Sequence, residues 1–537
     1  MLGRPAIFLT LLATHAIAWP LTTRQVDNSS EIFFDALPLS KDLNYVPCFQ
    51  NFTCTKLEVP LDYEDPAVGS THIALMRWNS PHQPALGDVI FNPGGPGFSA
   101  IDQMMKPVWL NRLSGILGGK YNIVALEPRG VKYSGPDVNC FGGNNETEQA
   151  YLFPLSLTTW ADRRERAKLF ETAGAFGTWC SHTLNNTANY VNTPAVARDM
   201  LHYSELLAKG QGKPCNESKV EFYGNSYGST LGMTFAQLYP SRVGHFLIDA
   251  VVDLEDHYFG NWSQNLLQAN EAIEGLFSDC AEAGPACPLY RNGSTGASIK
   301  KRVDDLLLRL ADSPITAADP KSVSTPITVD DAPLRPLFRD LNYNPATSFP
   351  ELASRLAQLE RGNASAFDPF AIKKGSEPIA ASDLYGGTFT KCLDNNKHFE
   401  GTLEAMEELF TLAKNLSPYF GEFWVARNIL ECRTLKFAPP PSQRLDSIKR
   451  VKTATPLLFT DNTIDGLSSS HDKMSTFFEG SGIVLQKAIG HGIMVARSNC
   501  TEDHIRKYMD TGKVPLAGIP KIQVRQGKTR VSLDGWV

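Results

Sequence analysis

After its first twenty residues this 537-residue chain has no further long apolar run, so nothing later reads as a membrane span, which needs roughly 20 consecutive apolar residues. Its ten cysteines include no C-x-x-C pair, and the usual zinc and thioredoxin-type signatures are therefore missing. No G-K-S/T follows a glycine-rich loop and no G-x-G-x-x-G occurs, which excludes the common phosphate and dinucleotide cradles. Basic excess is lacking too: 51 Lys and Arg against 57 Asp and Glu leave a net charge of −6, and no finger or aromatic-basic module is present. That balance argues against a nucleic-acid partner. Internal repeats and low-complexity tracts are also absent.

The apolar run that does occur is short and lies at the start. Arg4 precedes "PAIFLTLLATHAIA", which ends in Ala16-Ile17-Ala18 ahead of Trp19-Pro20. A charged start, a short apolar core and an A-x-A ending predict a secretory signal peptide over residues 1–18, with no membrane anchor. N-x-S/T sequons at Asn28, Asn51, Asn145, Asn185, Asn216, Asn261, Asn292, Asn363, Asn415 and Asn499 agree with a secreted glycoprotein. Ten cysteines suit an oxidising compartment. Short spacings make Cys48 with Cys54 and Cys280 with Cys287 candidate local pairs, and spacing alone leaves the connectivity open.

Patterning divides the rest. Residues 19–45 are polar, lack clear periodicity and read as an N-terminal arm. From there "KLEVPLDYEDP", "THIALMRWNS", "GDVIFNPGG", "YNIVALEPRG", "KVEFYG" and "VGHFLIDAVV" read as strands, alternating with helix-like stretches such as "IDQMMKPVWLNRL", "AVARDMLHYSELLAKG" and "STLGMTFAQLYP". Strand, helix and strand of modest length predict a mostly parallel central sheet flanked by helices. Between about 256 and 449 four amphipathic helical segments dominate. "ATPLLFTDNTIDG" and "GIVLQKAIGHG" then return to strand and loop, and "CTEDHIRKYMDTG" reads as a closing helix. The expected organisation is a core over 46–255, a mainly helical cap over 256–449, and the remainder of the core over 450–537.

Within this frame, Gly224-Asn225-Ser226-Tyr227-Gly228 falls between a strand and a helix. A sharp strand-to-helix turn lifts the central serine clear of the backbone, as a nucleophile elbow requires. An alcohol is a poor nucleophile near neutral pH and needs a base and an orienting acid. His491, in a glycine turn after a strand, is the candidate base, ahead of His245, His257, His471 and His504. Asp465 and Asp461, four residues apart in "FTDNTIDG", are the candidate acids. The chain order Ser, Asp, His is that of one class of triad enzymes and differs from the chymotrypsin and subtilisin orders. The oxyanion hole is expected from the backbone N–H of Tyr227 with one from Gly94 or Gly95 in "PGGPG".

The pieces "NPGGPGFS", "EPRGVKYSG", "YGNSYGSTLG", "RVGHFLIDAVVD", "DNTIDG" and "GHG", in this order, resemble the α/β-hydrolase serine exopeptidases, specifically proline iminopeptidases and secreted tripeptidyl aminopeptidases. The resemblance implies an α/β-hydrolase fold with a helical cap and catalysis by Ser226, His491 and Asp465, without metal or organic cofactor. It implies a Cys392–Cys432 cap pair and carboxylates that hold a free α-amine, for which Asp253, Glu255 and Asp394 are the candidates. The chain departs from the family's text at Glu127, where Asp is usual, and at Lys132, where glycine is common. It also has no cysteine after Cys500, and "RTLKF" follows Cys432 in place of a tryptophan. The implied function is release of one to three residues from peptides with a free N-terminus. The alternatives are an esterase or lactonase acting on a small molecule of secondary metabolism, and a catalytically silent binding glycoprotein.

Overall fold

The computed structural model describes residues 29–156, 162–368, 381–395 and 401–515. The predicted leader, 1–18, and Asn28 lie outside the described residues. Eight principal strands run β1 (Phe52–Pro60), β2 (Ser70–Trp78), β3 (Asp88–Asn92), β4 (Asn122–Leu126), β5 (Val220–Asn225), β6 (Val243–Asp249), β7 (Leu458–Ile464) and β8 (Gly482–Ile489). Their spatial order is β1-β2-β4-β3-β5-β6-β7-β8, with two-residue strands at Leu39–Ser40 and Val46–Pro47 added beside β1. β2 is antiparallel to β1 and β4, and every later pairing is parallel.

Central strands of a parallel sheet are covered on both faces, which is why β3 is buried along its whole length. Side chains still alternate between faces. Ile90, Phe222, Ile248 and Phe459 enter one apolar cluster with Met200, Leu231 and Phe235. Phe91, Tyr223, Leu247 and Leu458 enter the other with Ile101, Leu113, Ile505 and Tyr508. This is an α/β-hydrolase fold carrying a large helical cap.

The cap is built on the predicted amphipathic segments, which form helices Ala269–Ala283, Gly296–Asp312, Pro345–Glu360 and Leu403–Leu416. A small hairpin, Ile315–Ala317 with Ile327–Val329, sits among them. A further helix, Arg163–Thr183, carries Leu169, Phe170 and Ala173 into the cap's apolar cluster, so that cluster draws on residues well before the nucleophile. Two disulfides fasten this layer, Cys140–Cys180 and Cys392–Cys432. Cys48–Cys54 and Cys280–Cys287 close short loops, while Cys215 and Cys500 are free and exposed.

Two local expectations change. "IDQMMKPVWLNRL" forms two helices, Ala100–Met105 and Pro107–Ile116, because proline disfavours helical backbone at the residue before it, and Lys106 is extended. The arm contains a short helix, Ser29–Ala36, whose Phe34 is buried against Phe49 and Tyr133. Tertiary packing of two adjacent aromatics, Phe33 and Phe34, with no periodic stripe, fixes that turn of chain.

Candidate active site

Ser226 stands between β5 and helix Tyr227–Leu238 with φ 60° and ψ −124°, a conformation that side-chain-bearing residues rarely adopt. The turn is held from several sides. Ser226 N–H donates to the Asp249 carbonyl at 3.0 Å, and its own carbonyl accepts from Ser229 N–H at 2.7 Å. No side chain fits at the flanking glycines. A Cβ on Gly224 would lie 2.2 Å from the Gly228 carbonyl oxygen, and one on Gly228 would lie 2.6 Å from that of Asn92. The Gly-x-Ser-x-Gly spacing thus follows from backbone crossing backbone at the elbow.

Asp465 directly follows β7 and His491 lies one glycine past the end of β8, so adjacent parallel strands deliver the pair side by side. His491 Nδ1 lies 3.0 Å from both carboxylate oxygens of Asp465. That carboxylate also accepts from the N–H groups of Leu467, Ser468 and Gly492 at 2.9 to 3.0 Å, and from Ser468 Oγ at 3.1 Å. His491 Nε2 is buried with no hydrogen-bond partner among the described residues. His491 and Ser226 line the same small cavity, about 20 Å³, together with Gly95 and Tyr227. They are not hydrogen-bonded to one another here, a looseness common where no substrate is bound.

The competitor Asp461 lies inside β7, where it accepts from Val251 N–H at 3.2 Å and Asn462 N–H at 2.8 Å. His471 Nδ1 is 3.3 Å away. Burial, followed by the nearby Asp465 and Asp249 carboxylates, holds its carboxyl well above the usual range. Burial also raises Asp249, although Asn225 Nδ2, Tyr223 OH, Thr460 Oγ1 and Ile493 N–H all donate to it. Asp249 therefore links the serine elbow, through Asn225, to the histidine loop, through Ile493.

Among the oxyanion candidates, Gly94 N–H already donates to Asn92 Oδ1 at 2.9 Å, whereas Gly95 and Tyr227 line the cavity. The Tyr227 ring also has a task that the sequence does not reveal. Its hydroxyl is 2.5 Å from Thr193 Oγ1, which bonds Asp394 in turn.

None of the three carboxylates expected to meet an amine lines a cavity beside Ser226. Asp253 caps helix Leu254–Phe259 and pairs with Lys473 at 2.7 Å, and Glu255 meets the same lysine at 2.8 Å. Asp394 is buried against His257, 2.8 Å from its Nε2. A larger cavity of about 440 Å³ instead shares Gly95, Tyr343 and Trp424 with the small one. Its wall carries Asp340, Glu431, Arg339 and Lys391 among aromatic rings. Tyr343, from the cap, stands edge-on to His491 with ring centroids 5.2 Å apart. Sequence reasoning has no signal for Tyr343 or Trp424. Ser468 was findable, since it lies three residues after Asp465, the spacing of a side-chain-to-backbone turn.

The family departures have local explanations. Glu127 accepts from Ala100 N–H at 2.7 Å, fastening the helix after the glycine loop to the end of β4. Lys132 adopts φ 30°, the left-handed side where glycine is usual, with its ammonium 2.6 Å from Asp102. Of the sequons, Asn51, Asn185, Asn216, Asn292, Asn363, Asn415 and Asn499 are exposed, and Asn261 is half-buried. Among the described residues no helix is long and apolar enough to cross a membrane.

A family model described as TAP-like protein matches residues 417–520, which include both Asp465 and His491. A tripeptidyl aminopeptidase of Streptomyces lividans is 24% identical over 479 residues, 86% of this chain and 82% of the relative. Serine protease Hip1 of Mycobacterium tuberculosis is 25% identical over 336 residues, 62% of this chain and 58% of the relative. A carboxylesterase B from the same species is 26% identical over 276 residues, 50% of this chain and 49% of the relative. Fold and similarities together link the chain, at family level, to the α/β-hydrolases that include TAP-like proteins and serine proteases, and make it a hydrolase-type enzyme.

Proposed function

We propose that the chain is a secreted serine hydrolase that removes a short N-terminal unit from peptides by acyl transfer. The observation that carries this is the strained Ser226 sharing one cavity with His491, whose Nδ1 is held by Asp465 while Nε2 is left unpartnered. Ser226 Oγ attacks the scissile carbonyl as His491 Nε2 takes its proton. The Gly95 and Tyr227 N–H groups receive the developing oxyanion, and Asp465 stabilises the imidazolium. Protonated His491 then gives its proton to the leaving amine, and a water activated by the same imidazole resolves the acyl-enzyme.

Exopeptidase action is supported by the cap, which confines access, and by the adjoining cavity. Its wall places Glu431, accepting from Thr388 Oγ1 at 3.1 Å, and Asp340, paired with Arg339, where an α-ammonium could meet a carboxylate. The similarity to a tripeptidyl aminopeptidase over most of both chains points the same way. Four disulfides and exposed sequons support secretion. The second reading, an esterase of small molecules, is favoured by the similarity to a carboxylesterase over half of the chain.

Product analysis by mass spectrometry on a peptide library with free N-termini, beside Ser226→Ala and N-acetylated controls, tests this. Release of one to three residues from free N-termini alone is expected. Ester turnover without peptide cleavage would replace the peptidase reading with the esterase one.

A further inference from the structure

Besides the triad, the cavity at Ser226 presents polar atoms that acyl transfer does not use. Thr230 and His257 line it, are 0% and 1% exposed, and leave Thr230 Oγ1 and His257 Nδ1 buried with no hydrogen-bond partner among the described residues. Buried polar atoms without partners are uncommon in native folds, and at a binding cavity they mark where a ligand atom belongs.

The orientation of His257 gives that ligand atom its chemistry. Its Nε2 lies 2.8 Å from Asp394 Oδ2, and a carboxylate only accepts, so Nε2 carries the proton. In the neutral ring Nδ1 is then a lone pair. Asp394 is fixed by Thr193 N–H at 2.8 Å and by Thr193 Oγ1, and Thr193 Oγ1 is bonded to Tyr227 OH. The imidazole is thus locked to the residue that follows the nucleophile. Trp262 packs against it with ring centroids 5.0 Å apart. Val252, Leu467 and Trp424 line the same cavity beside Asn265 and Ser226, so the lone pair is an acceptor within a small space with both polar and apolar walls.

We propose that His257 Nδ1 and Thr230 Oγ1 form an acyl-side subsite that accepts an N–H of an aminoacyl or peptidyl group. Such a group carries its α-nitrogen two bonds from the scissile carbonyl carbon. When that carbon reaches Ser226, the N–H enters the same cavity, whereas a plain carboxylic ester leaves both acceptors unmet. Unpaired buried acceptors in a site penalise an analogue that lacks the donor. The inference rests on Ser226 being the nucleophile, and it names what selects the acyl group.

The test compares nitrophenyl esters of alanine, N-acetylalanine and propionate, with fluorophosphonate labelling of Ser226 as a separate arm. For the wild-type chain, kcat/KM is expected to favour the two nitrogen-bearing esters over propionate by about 10- to 100-fold. His257→Ala should abolish that preference through a loss of kcat/KM on the two nitrogen-bearing esters, and Thr230→Val should reduce the preference by about three- to tenfold. Equal loss on all three esters, or an unchanged preference in both variants, overturns the subsite. If His257→Ala does not fold, Thr230→Val supplies the same ratio. A wild-type chain that does not label overturns the acyl-transfer reading itself, whereas labelling without any nitrogen preference overturns the subsite alone.

Discussion

Two buried histidine–aspartate pairs meet the cavity at Ser226, and they are wired in opposite senses. His491 engages Asp465 through Nδ1 and leaves Nε2 unpartnered, while His257 engages Asp394 through Nε2 and leaves Nδ1 unpartnered. The first pair sits on loops at the ends of adjacent strands β7 and β8, each held by the sheet. The second joins helix Leu254–Phe259 to the last residue of helix Ala381–Asp394, across 137 residues of sequence. Sheet register brings the first pair together, whereas the second exists only when a cap helix has docked. On the proposed reading, proton transfer belongs on the pair at the strand ends, and recognition of the substrate on the pair the cap completes.

The largest effect that separates the pairs is at their acids. Asp465→Asn is expected to lower kcat on peptide substrates by about 10⁴-fold, since an amide does not hold the imidazole in the required tautomer or stabilise its cation. Stopped assays on the purified variant check this, with Ser226→Ala as the floor. Next, Asp394→Asn removes the charge from a fully buried pair that also receives Thr193 N–H and Oγ1. It should cost about 2–4 kcal/mol of stability, read by denaturant unfolding, yet lower kcat only about tenfold. A rate loss as large as that of Asp465→Asn would break the contrast.

How far each pair was legible in the sequence follows from the same difference. Ser226 and His491 each follow a short apolar run, so local pattern reaches them, whereas Asp465 is set apart from Asp461 only by the family resemblance. The short apolar runs of β3, β5, β6 and β7 make the sheet readable. His257 and Asp394 share no local pattern, because their contact spans the cap. Carboxylates near a motif, Asp253 and Glu255, were chosen for an amine although Lys473, about two hundred residues on, already meets both. Helix Arg163–Thr183 carried no clear signal because it buries Phe170 in one apolar cluster and Phe176 and Cys180 in another, and two buried faces leave no single stripe.

A third and smaller effect sharpens the first pair. Asp461 lies beneath Asp465 with its carboxyl raised by burial and by the Asp465 and Asp249 charges, and His471 faces it. A carboxyl whose folded value is raised favours the protonated fold. Its stabilising contribution is complete below the unfolded value of about 3.9 and is lost as pH rises through the elevated folded value. Asp461→Asn removes that loss. Its melting temperature should exceed that of the wild-type chain at pH 7, with the advantage shrinking as pH falls toward 4 in calorimetric scans. An advantage independent of pH would remove Asp461 from the acid cluster's electrostatics.

The smallest effect is expected at Glu255, and it bounds how far the cavity's chemistry extends. Its carboxylate meets Lys473 at 2.8 Å, with side chains 44% and 48% exposed, and that lysine keeps Asp253 when Glu255 is neutralised. Exposed pairs of this kind contribute about 0–1 kcal/mol. Glu255→Gln should therefore shift unfolding by less than about 1 kcal/mol and leave kcat/KM on peptides within about twofold. Asp253 continues to cap helix Leu254–Phe259 through the N–H groups of Glu255 and Asp256, so the helix bearing His257 stays in place. A tenfold rise in KM confined to substrates with a free amine would instead put Glu255 within reach of the ammonium. Recognition would then have to extend from the cavity wall to the surface beside Lys473.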